Sequence, residues 1–259
     1  MRPDHLELGS LDEAFRRVNE AHLAVGLPLG SPGYCRRLEF ALGRLAEGRW
    51  AAEYLSRRYP EIVRPGARVL DLGCGNGGMV LPFAELGLEA TALDLSPHPE
   101  LEAVRRETGL PVVQVAGAGE GLPFADGSFS LVLLAETLEH VERPRRLGRE
   151  LARVLAPGGL VYVTTPPRLR YLFAREPHYG VPGLALLPDP AQRWVFEHLV
   201  APGQRYDVVH LFWTVAGVLR ALPGLELAEI TSKNWAGPLR RLDWDWIVAR
   251  KPVARAADR

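Results

Sequence analysis

The pattern of apolar and polar positions changes period once, near residue 67. Before that point apolar residues recur every three or four positions. Residues 11–23 and 36–58 read as helices, the second carrying Leu38, Leu42, Leu45, Trp50 and Tyr54 at roughly helical spacing. Residues 26–33, with Pro28 and Pro32, separate the two, and Pro60 and Pro65 close the helical region.

Beyond residue 67, short apolar runs alternate with helical stretches. Strands are expected at 68–72, 89–95, 111–115, 129–135 and 160–165, and helices at 78–86, 99–108 and 144–155. Pro144 suits the first turn of its helix, where a missing N–H costs nothing, and "APGG" is read as its stop. Strict alternation with apolar strands predicts a Rossmann-like, doubly wound α/β fold: a parallel sheet with helices on both faces. Residues 166–207 lose the pattern and are rich in Pro, Arg and aromatics. A stretch that long reads as an insertion beside the active site, a lid or acceptor pocket. A helix at 208–222 and strands at 225–231 and 244–249 complete the core, with a frayed tail from 251. The expected organisation is a helical cover over 1–60, a core over 61–250 that includes the insertion, and the tail.

Composition narrows the function. The 31 Lys and Arg residues balance 31 Asp and Glu, so no net field favours nucleic acid. Cys35 and Cys74 are the two cysteines, which gives no metal-ligand spacing. The opening "MRPDHLELGSLDEAF" has charges where a signal peptide needs an apolar core, and no run approaches a membrane span. The expectation is a cytoplasmic protein acting on a small molecule, with its oligomeric state open.

The chemistry concentrates in "VLDLGCGNGG", residues 69–78. Gly73, Gly75 and Gly78 fit the dinucleotide fingerprint G-x-G-x-x-G, and Asp94 stands where such folds place an acid for ribose hydroxyls. That pattern alone leaves a nicotinamide or flavin cofactor open. Gly73, Gly75 and Gly77 equally make G-x-G-x-G, a turn that can pass beside an adenosine bearing an amino-acid tail. Asp71, two residues before Gly73, is awkward beside a pyrophosphate and useful beside an ammonium.

The downstream motifs "LDLS", "LPFADGSF", "LEHV" and "LAPGGLVYVTTP" follow in order. With "VLDLGCGNG" they resemble the class I S-adenosylmethionine-dependent methyltransferases, and most of all the type 11 group and the ubiquinone-biosynthesis O-methyltransferases, over about residues 66–167. The resemblance implies a seven-stranded sheet whose last strand is antiparallel, with S-adenosyl-L-methionine as cofactor and S-adenosyl-L-homocysteine as product. It implies that Asp71 faces the methionine ammonium. Gly73, Cys74 and Gly75 would let the backbone approach the cofactor, Asp94 would bind the ribose hydroxyls and Leu95 would pack on adenine. Ala135 would line the cofactor by its backbone. As ordinary local roles, Asp71 would cap the turn and Asp94 a helix. The family's Asp before "LPF" is Ala118 here, so adenine is left to Glu120, the backbone of Gly119 or another carbonyl, or water. Ser130 also departs from the family's usual Asp.

Methyl transfer from a sulfonium needs alignment and water exclusion, with a base if the acceptor is a hydroxyl. His140 of "LEHV", beside Glu139, is the candidate base, as the resembled O-methyltransferases carry the same pair; the plainer role is packing or capping. A two-ligand metal role for the pair lacks a visible third ligand, and no metal is expected. His178 and Tyr179 of the insertion are further catalytic candidates, and Arg168, Arg170 and Arg175 either meet a substrate or are solvated. His210 is expected to pack or cap its helix, and Trp213, Trp235, Trp244 and Trp246 to serve the core or a subunit contact. Oxygen is favoured over nitrogen or carbon as acceptor. The rivals are a nicotinamide-dependent oxidoreductase and a non-catalytic S-adenosylmethionine-binding module.

Overall fold

Ser10, Asp12 and Glu13 open the first helix as their types require. In the computed structural model, which describes residues 10–171, 180–232, 241–242 and 244–253, the Ser10 hydroxyl accepts the N–H of Glu13 at the start of α1 (Leu11–Gly26). Leu11, Ala14, Phe15 and Val18 form its buried stripe. The second helix, α2 (Pro32–Arg58), begins four residues earlier than expected, because Ser31 caps it and Pro32 occupies its first turn. Ala41, Leu45, Gly48, Ala52 and Leu55 make its buried face.

The alternating region follows as β1 (Arg68–Leu72), α3 (Leu81–Glu85), β2 (Glu89–Asp94), α4 (Pro99–Thr108) and β3 (Val112–Ala116). Then come β4 (Phe129–Ala135), α5 (Pro144–Val154), β5 (Leu155–Thr164), α6 (Arg168–Tyr171), α7 (Asp189–Val195), α8 (Val215–Ala221), β6 (Glu226–Thr231) and β7 (Trp246–Arg250). The strands form one seven-stranded sheet in the order β3-β2-β1-β4-β5-β7-β6. β1–β2, β2–β3 and β4–β5 pair in parallel, and β7 runs antiparallel to both β5 and β6. This is the α/β sheet expected, including the reversed last strand.

The chain divides into two compact units, Met1–Ala118 and Gly119–Arg259. In the first, Val69, Leu70, Phe83, Leu88, Leu93 and Leu101 are buried. In the second, Leu131 to Leu134, Leu147, Leu151, Leu160 to Val163 and Ile247 to Ala249 are buried. The central strands are thus apolar on both faces, as a sheet covered on both sides needs.

Further boundaries differ from the sequence reading. "APGG" does not separate helix from strand: α5 ends at Val154 and β5 starts at Leu155, with a register shift opposite Phe129 and Leu131. The helix read over 208–222 shrinks to α8, because Thr214 caps it, its hydroxyl accepting the N–H of Gly217 at 3.0 Å. Upstream, residues 208–212 are not helical, and Phe212 bridges Pro167 in parallel. The insertion carries α6, α7 and a π-helical turn (Phe196–Val200), and Leu184, Phe196, Tyr206, Val208 and Leu211 make a small core of its own.

Candidate functional site

Strand pairing sets the corner after β1. Asp71 lies opposite Ala92 and Leu72 opposite Leu93. Beyond the pair, the N–H groups of Gly73 and Cys74 both donate to the carbonyl of Leu93, at 2.8 and 3.2 Å. Gly75 then turns with φ of 48°, and nothing lies within 4 Å of where a Cβ would stand. A left-handed backbone facing open space lets another molecule come close. Its N–H donates to Asp94 Oδ2 at 2.9 Å, while Leu95 N–H donates to Oδ1 at 2.7 Å. One carboxylate therefore ties the corner after β1 to the corner after β2, in place of the helix cap that was its plainer reading. Oδ2 also lies 3.3 Å from His98 Nε2, which leaves Oδ1 to accept a further bond. Leu95 is 78% exposed, an apolar side chain held outward at this corner.

Asp71 is 1% exposed, and its Oδ2 has no hydrogen-bond partner. Burial pushes its pKa up to about 7, the charge of Asp94 adds to the rise and Arg44 opposes it. Burial likewise pushes the Cys74 thiol up, with the charges of Asp71 and Asp94 adding to the effect. Cys74 is therefore a neutral thiol packed in the corner and no nucleophile.

The sequence reading missed Arg44. On α2, it reaches this corner because Gly48 and Gly78 permit a close approach. A Cβ on Gly48 would lie 2.4 Å from the Gly78 carbonyl oxygen, and one on Gly78 would lie 2.8 Å from Arg44 Cβ. Arg44 pairs with Glu47, and its Nη1 is buried without a partner. The contact is long-range, and nothing local in "LGRLAEG" marks it. Asn19, buried in α1, bonds Asn76 of the corner at 2.9 Å. Asn76 in turn accepts the N–H of Gly78.

In the second unit, the carbonyl of Ala135 accepts the Thr137 hydroxyl at 3.0 Å. Glu136 takes φ of 49°, its N–H held by the Thr164 carbonyl at 2.9 Å. A non-glycine residue in that region is strained, and such residues gather at functional sites. In the 3₁₀ turn Leu138–His140, Glu139 is fully buried, whereas His140 is partly exposed, so the histidine is the member of the pair that reaches outward. His140 Nδ1 lies 3.1 Å from the carbonyl of Asp207. A carbonyl only accepts, so the proton of this bond sits on Nδ1, and in the neutral ring the lone pair is then on Nε2.

Gly119 lies in a turn, partly buried. Glu120 accepts the N–H of Arg143 at 3.1 Å, and its carbonyl accepts Arg146 Nε at 2.9 Å, so it braces the start of α5. His178 and Tyr179 lie outside the described residues, as do Arg175, Phe173 and Trp235. Arg168 is neither solvated nor poised for substrate. It is 4% exposed and binds the carbonyls of Ala185 and Leu187 and, at 2.7 Å, Asp189. Arg170 binds the Trp244 carbonyl and Asp245. His210 caps no helix and lies 3.6 Å from Asp189. Trp244 and Trp246 are buried as expected for core residues, and Trp213 is half exposed beneath the Arg168 guanidinium. Among the described residues, no group of three or more His, Cys, Asp and Glu side chains is placed to hold a metal ion. No helix among them is long and apolar enough to cross a membrane.

Residues 70–163 match a family model described as a methyltransferase domain. A ubiquinone biosynthesis O-methyltransferase of Xanthomonas euvesicatoria is 40% identical over 127 residues, 47% of this chain and 51% of that protein. The chain thus matches about half the length of such curated relatives. Among solved structures, an S-adenosylmethionine-dependent methyltransferase from Mesorhizobium loti superposes with a TM-score of 0.55 at 24% identity, covering 78% of this chain and 97% of that one. A [4+2]-cyclase, SpnF, superposes equally well, with a TM-score of 0.55 at 20% identity over 80% of this chain and 81% of its own. The fold alone therefore does not decide the reaction. The motifs in β1 to β5 fall in the matched stretch: residues 70–163 are similar to the methyltransferase domain, and that stretch carries the likeness to the curated O-methyltransferases.

Proposed function

We propose that the protein transfers a methyl group from S-adenosyl-L-methionine to a small-molecule acceptor, with a hydroxyl oxygen as the nucleophile. The observation that carries the reading is the orphaned carboxylate oxygen of Asp71, buried at the glycine corner. Burying an unpaired carboxylate is costly, and a ligand cation removes the cost. A pyrophosphate would raise it by repulsion, which disfavours a nicotinamide cofactor.

The residues present fit the cofactor's handles. Asp71 would accept from the ammonium, and the unpartnered Nη1 of Arg44 would meet the carboxylate of the same amino-acid end. Gly73, Cys74 and Gly75 would offer backbone, Asp94 its Oδ1 to the ribose, and exposed Leu95 an apolar surface for adenine. When bound, the cofactor supplies a methyl group already activated on a sulfonium. Gly119 and Ala135 would add backbone contacts. Glu120, whose carboxylate and carbonyl each accept a bond at the start of α5, would meet adenine through its remaining lone pairs.

His140 would take the acceptor's proton on Nε2, since its Nδ1 proton is committed to the Asp207 carbonyl. Glu139, buried beneath it, would help to hold the turn. His178 and Tyr179 remain candidates to line the acceptor within the insertion. Oxygen as the methylated atom is supported by the "LEHV" pair and by the O-methyltransferase names of the relatives.

Calorimetric titration with S-adenosylhomocysteine, and separately with NAD, tests the cofactor. Micromolar binding of the first and none of the second is expected, and the reverse overturns the reading. Label transfer from methyl-labelled cofactor to a panel of hydroxylated small molecules then tests the chemistry.

A further inference from the structure

Among the described residues, Nε2 of His210 and Oγ1 of Thr165 are buried and have no hydrogen-bond partner. Thr165 is 2% exposed. They lie on two chain segments that pair in parallel, through the bridge between Pro167 and Phe212 and the bond from Arg168 N–H to the Phe212 carbonyl at 2.9 Å. Thr165 and His210 each stand two residues before that bridge. In extended backbone, residues two apart share a face, so the two orphans belong to one face of the pair. The place is also defined: Thr165 follows the last residue of β5, and His210 N–H donates to the Glu139 carbonyl at 3.0 Å. Both therefore sit beyond the carboxyl ends of β5 and β4, where open α/β sheets bind ligands.

The His210 ring has a built orientation. Asp189 Oδ2 lies 3.6 Å from Nδ1, long for a hydrogen bond but close enough to favour a proton on that nitrogen. Asp189 is held as an anion. Burial works against its charge, yet the Nδ1–H of His210 and the guanidinium of Arg168 carry its pKa below the ordinary carboxylate value. Arg168, buried and bound to Asp189 at 2.7 Å, fixes the other carboxylate oxygen. With the proton on Nδ1, Nε2 presents a lone pair.

We propose that His210, oriented by Asp189 and accompanied by the Thr165 hydroxyl, is an acceptor-binding residue whose Nε2 takes a hydrogen bond from a hydroxyl of the methyl acceptor. This assigns a neutral, hydroxyl-bearing molecule as the ligand class, and it rests on the methyltransferase reading. It is separate from proton removal by His140, which uses a different turn and a different carbonyl.

The test uses the full chain, labelled with ¹⁵N at histidine and saturated with S-adenosylhomocysteine, and phenol as the hydroxyl probe. H210Q assigns the His210 signals. The expected spectrum has His210 protonated on Nδ1 and bare on Nε2, and phenol moves the Nε2 signal. D189N brings in the Nε2-protonated tautomer, a change that loss of packing alone does not cause, while D189E retains the native tautomer. Thr165→Val removes one hydroxyl with little change of shape, so it folds, and it weakens phenol binding several-fold. H210A weakens it about tenfold, the size of one lost hydrogen bond. An Nε2-protonated His210 in the wild-type chain overturns the proposal, as does an Nε2 signal that phenol leaves in place or a T165V chain with unchanged phenol affinity. Failure of S-adenosylhomocysteine to bind the wild-type chain would instead overturn the methyltransferase reading, so the two failures are distinct.

Discussion

Asp71→Asn should stabilise the cofactor-free protein while damaging cofactor binding, and both effects can be sized. The carboxyl is fully buried and its pKa rises from 3.8 to about 7. The folded chain thus binds this proton more tightly than the unfolded chain does. Stability therefore falls as pH rises from about 4 to about 7 and levels off above that. At pH 8 the ionised group costs about 4 kcal/mol relative to an exposed carboxylate. At pH 5 the folded chain is protonated here and the unfolded chain is mostly not, and the cost is about 1.5–2 kcal/mol. The asparagine removes both costs and adds a roughly pH-independent one, about 1–3 kcal/mol, for its own unpaired amide. The advantage of D71N over wild type should therefore grow by about 2–3 kcal/mol between pH 5 and pH 8. Urea unfolding of both proteins at the two pH values, without cofactor, measures it. At pH 8 calorimetry should show S-adenosylhomocysteine binding weakened by about 1.5–3 kcal/mol, the range for a charged hydrogen bond. A stability difference that is flat across pH would refute the argument, because it would mean that Asp71 is not carrying a buried charge.

The remaining predictions follow from the same geometry. Cofactor binding to the wild type should weaken as pH falls below about 7, approaching tenfold per pH unit, as protonation of Asp71 removes its charge; calorimetry across pH 5–8 reads this. Asp94→Ala should cost about 1.5–3 kcal/mol of cofactor affinity. Asp94→Asn should lose less, because one amide oxygen can still hold the Gly75 or Leu95 N–H. Gly48→Ala should destabilise the fold by about 1–3 kcal/mol, since its Cβ would meet the Gly78 backbone, and thermal unfolding checks it. His140→Ala should leave S-adenosylhomocysteine affinity unchanged and slow turnover about 10²-fold or more once an acceptor is in hand, and an active variant would remove His140 from the chemistry.

The glycine corner after β1 was legible because its signals are local. A strand, a glycine turn and a carboxylate at a fixed offset are read within ten residues, and the folded corner uses them where the sequence put them. Helix starts were less legible where the cap lies outside the apolar pattern. Ser31 and Pro32 begin α2 ahead of its first periodic leucine, and Thr214 restarts a helix that hydrophobic spacing alone ran back to 208. Arg44 was invisible for another reason. Its role depends on two glycines, Gly48 and Gly78, separated in sequence, that bring α2 onto the corner.

The proposed acceptor-binding residues were the least legible, and the structure explains why. Arg168 read as a solvated or substrate-facing charge; it is buried, and it makes sense only in its pair with the partly exposed Asp189. That pair orients His210, and His210 stands where it does because its own N–H and that of Val209 share the Glu139 carbonyl. Glu139, beside the candidate base, thus serves partly through its backbone, and it is fully buried whereas His140 is partly exposed. Sequence motifs name side chains, whereas these residues are held by carbonyls: Asp207 for His140, Glu139 for His210, Ala185 and Leu187 for Arg168. Any residue type supplies a carbonyl, so an acceptor pocket organised this way can change its ligand by changing a few side chains while its framework persists. A cyclase and a methyltransferase share this fold, so the fold leaves the reaction and the acceptor to the side chains set upon it.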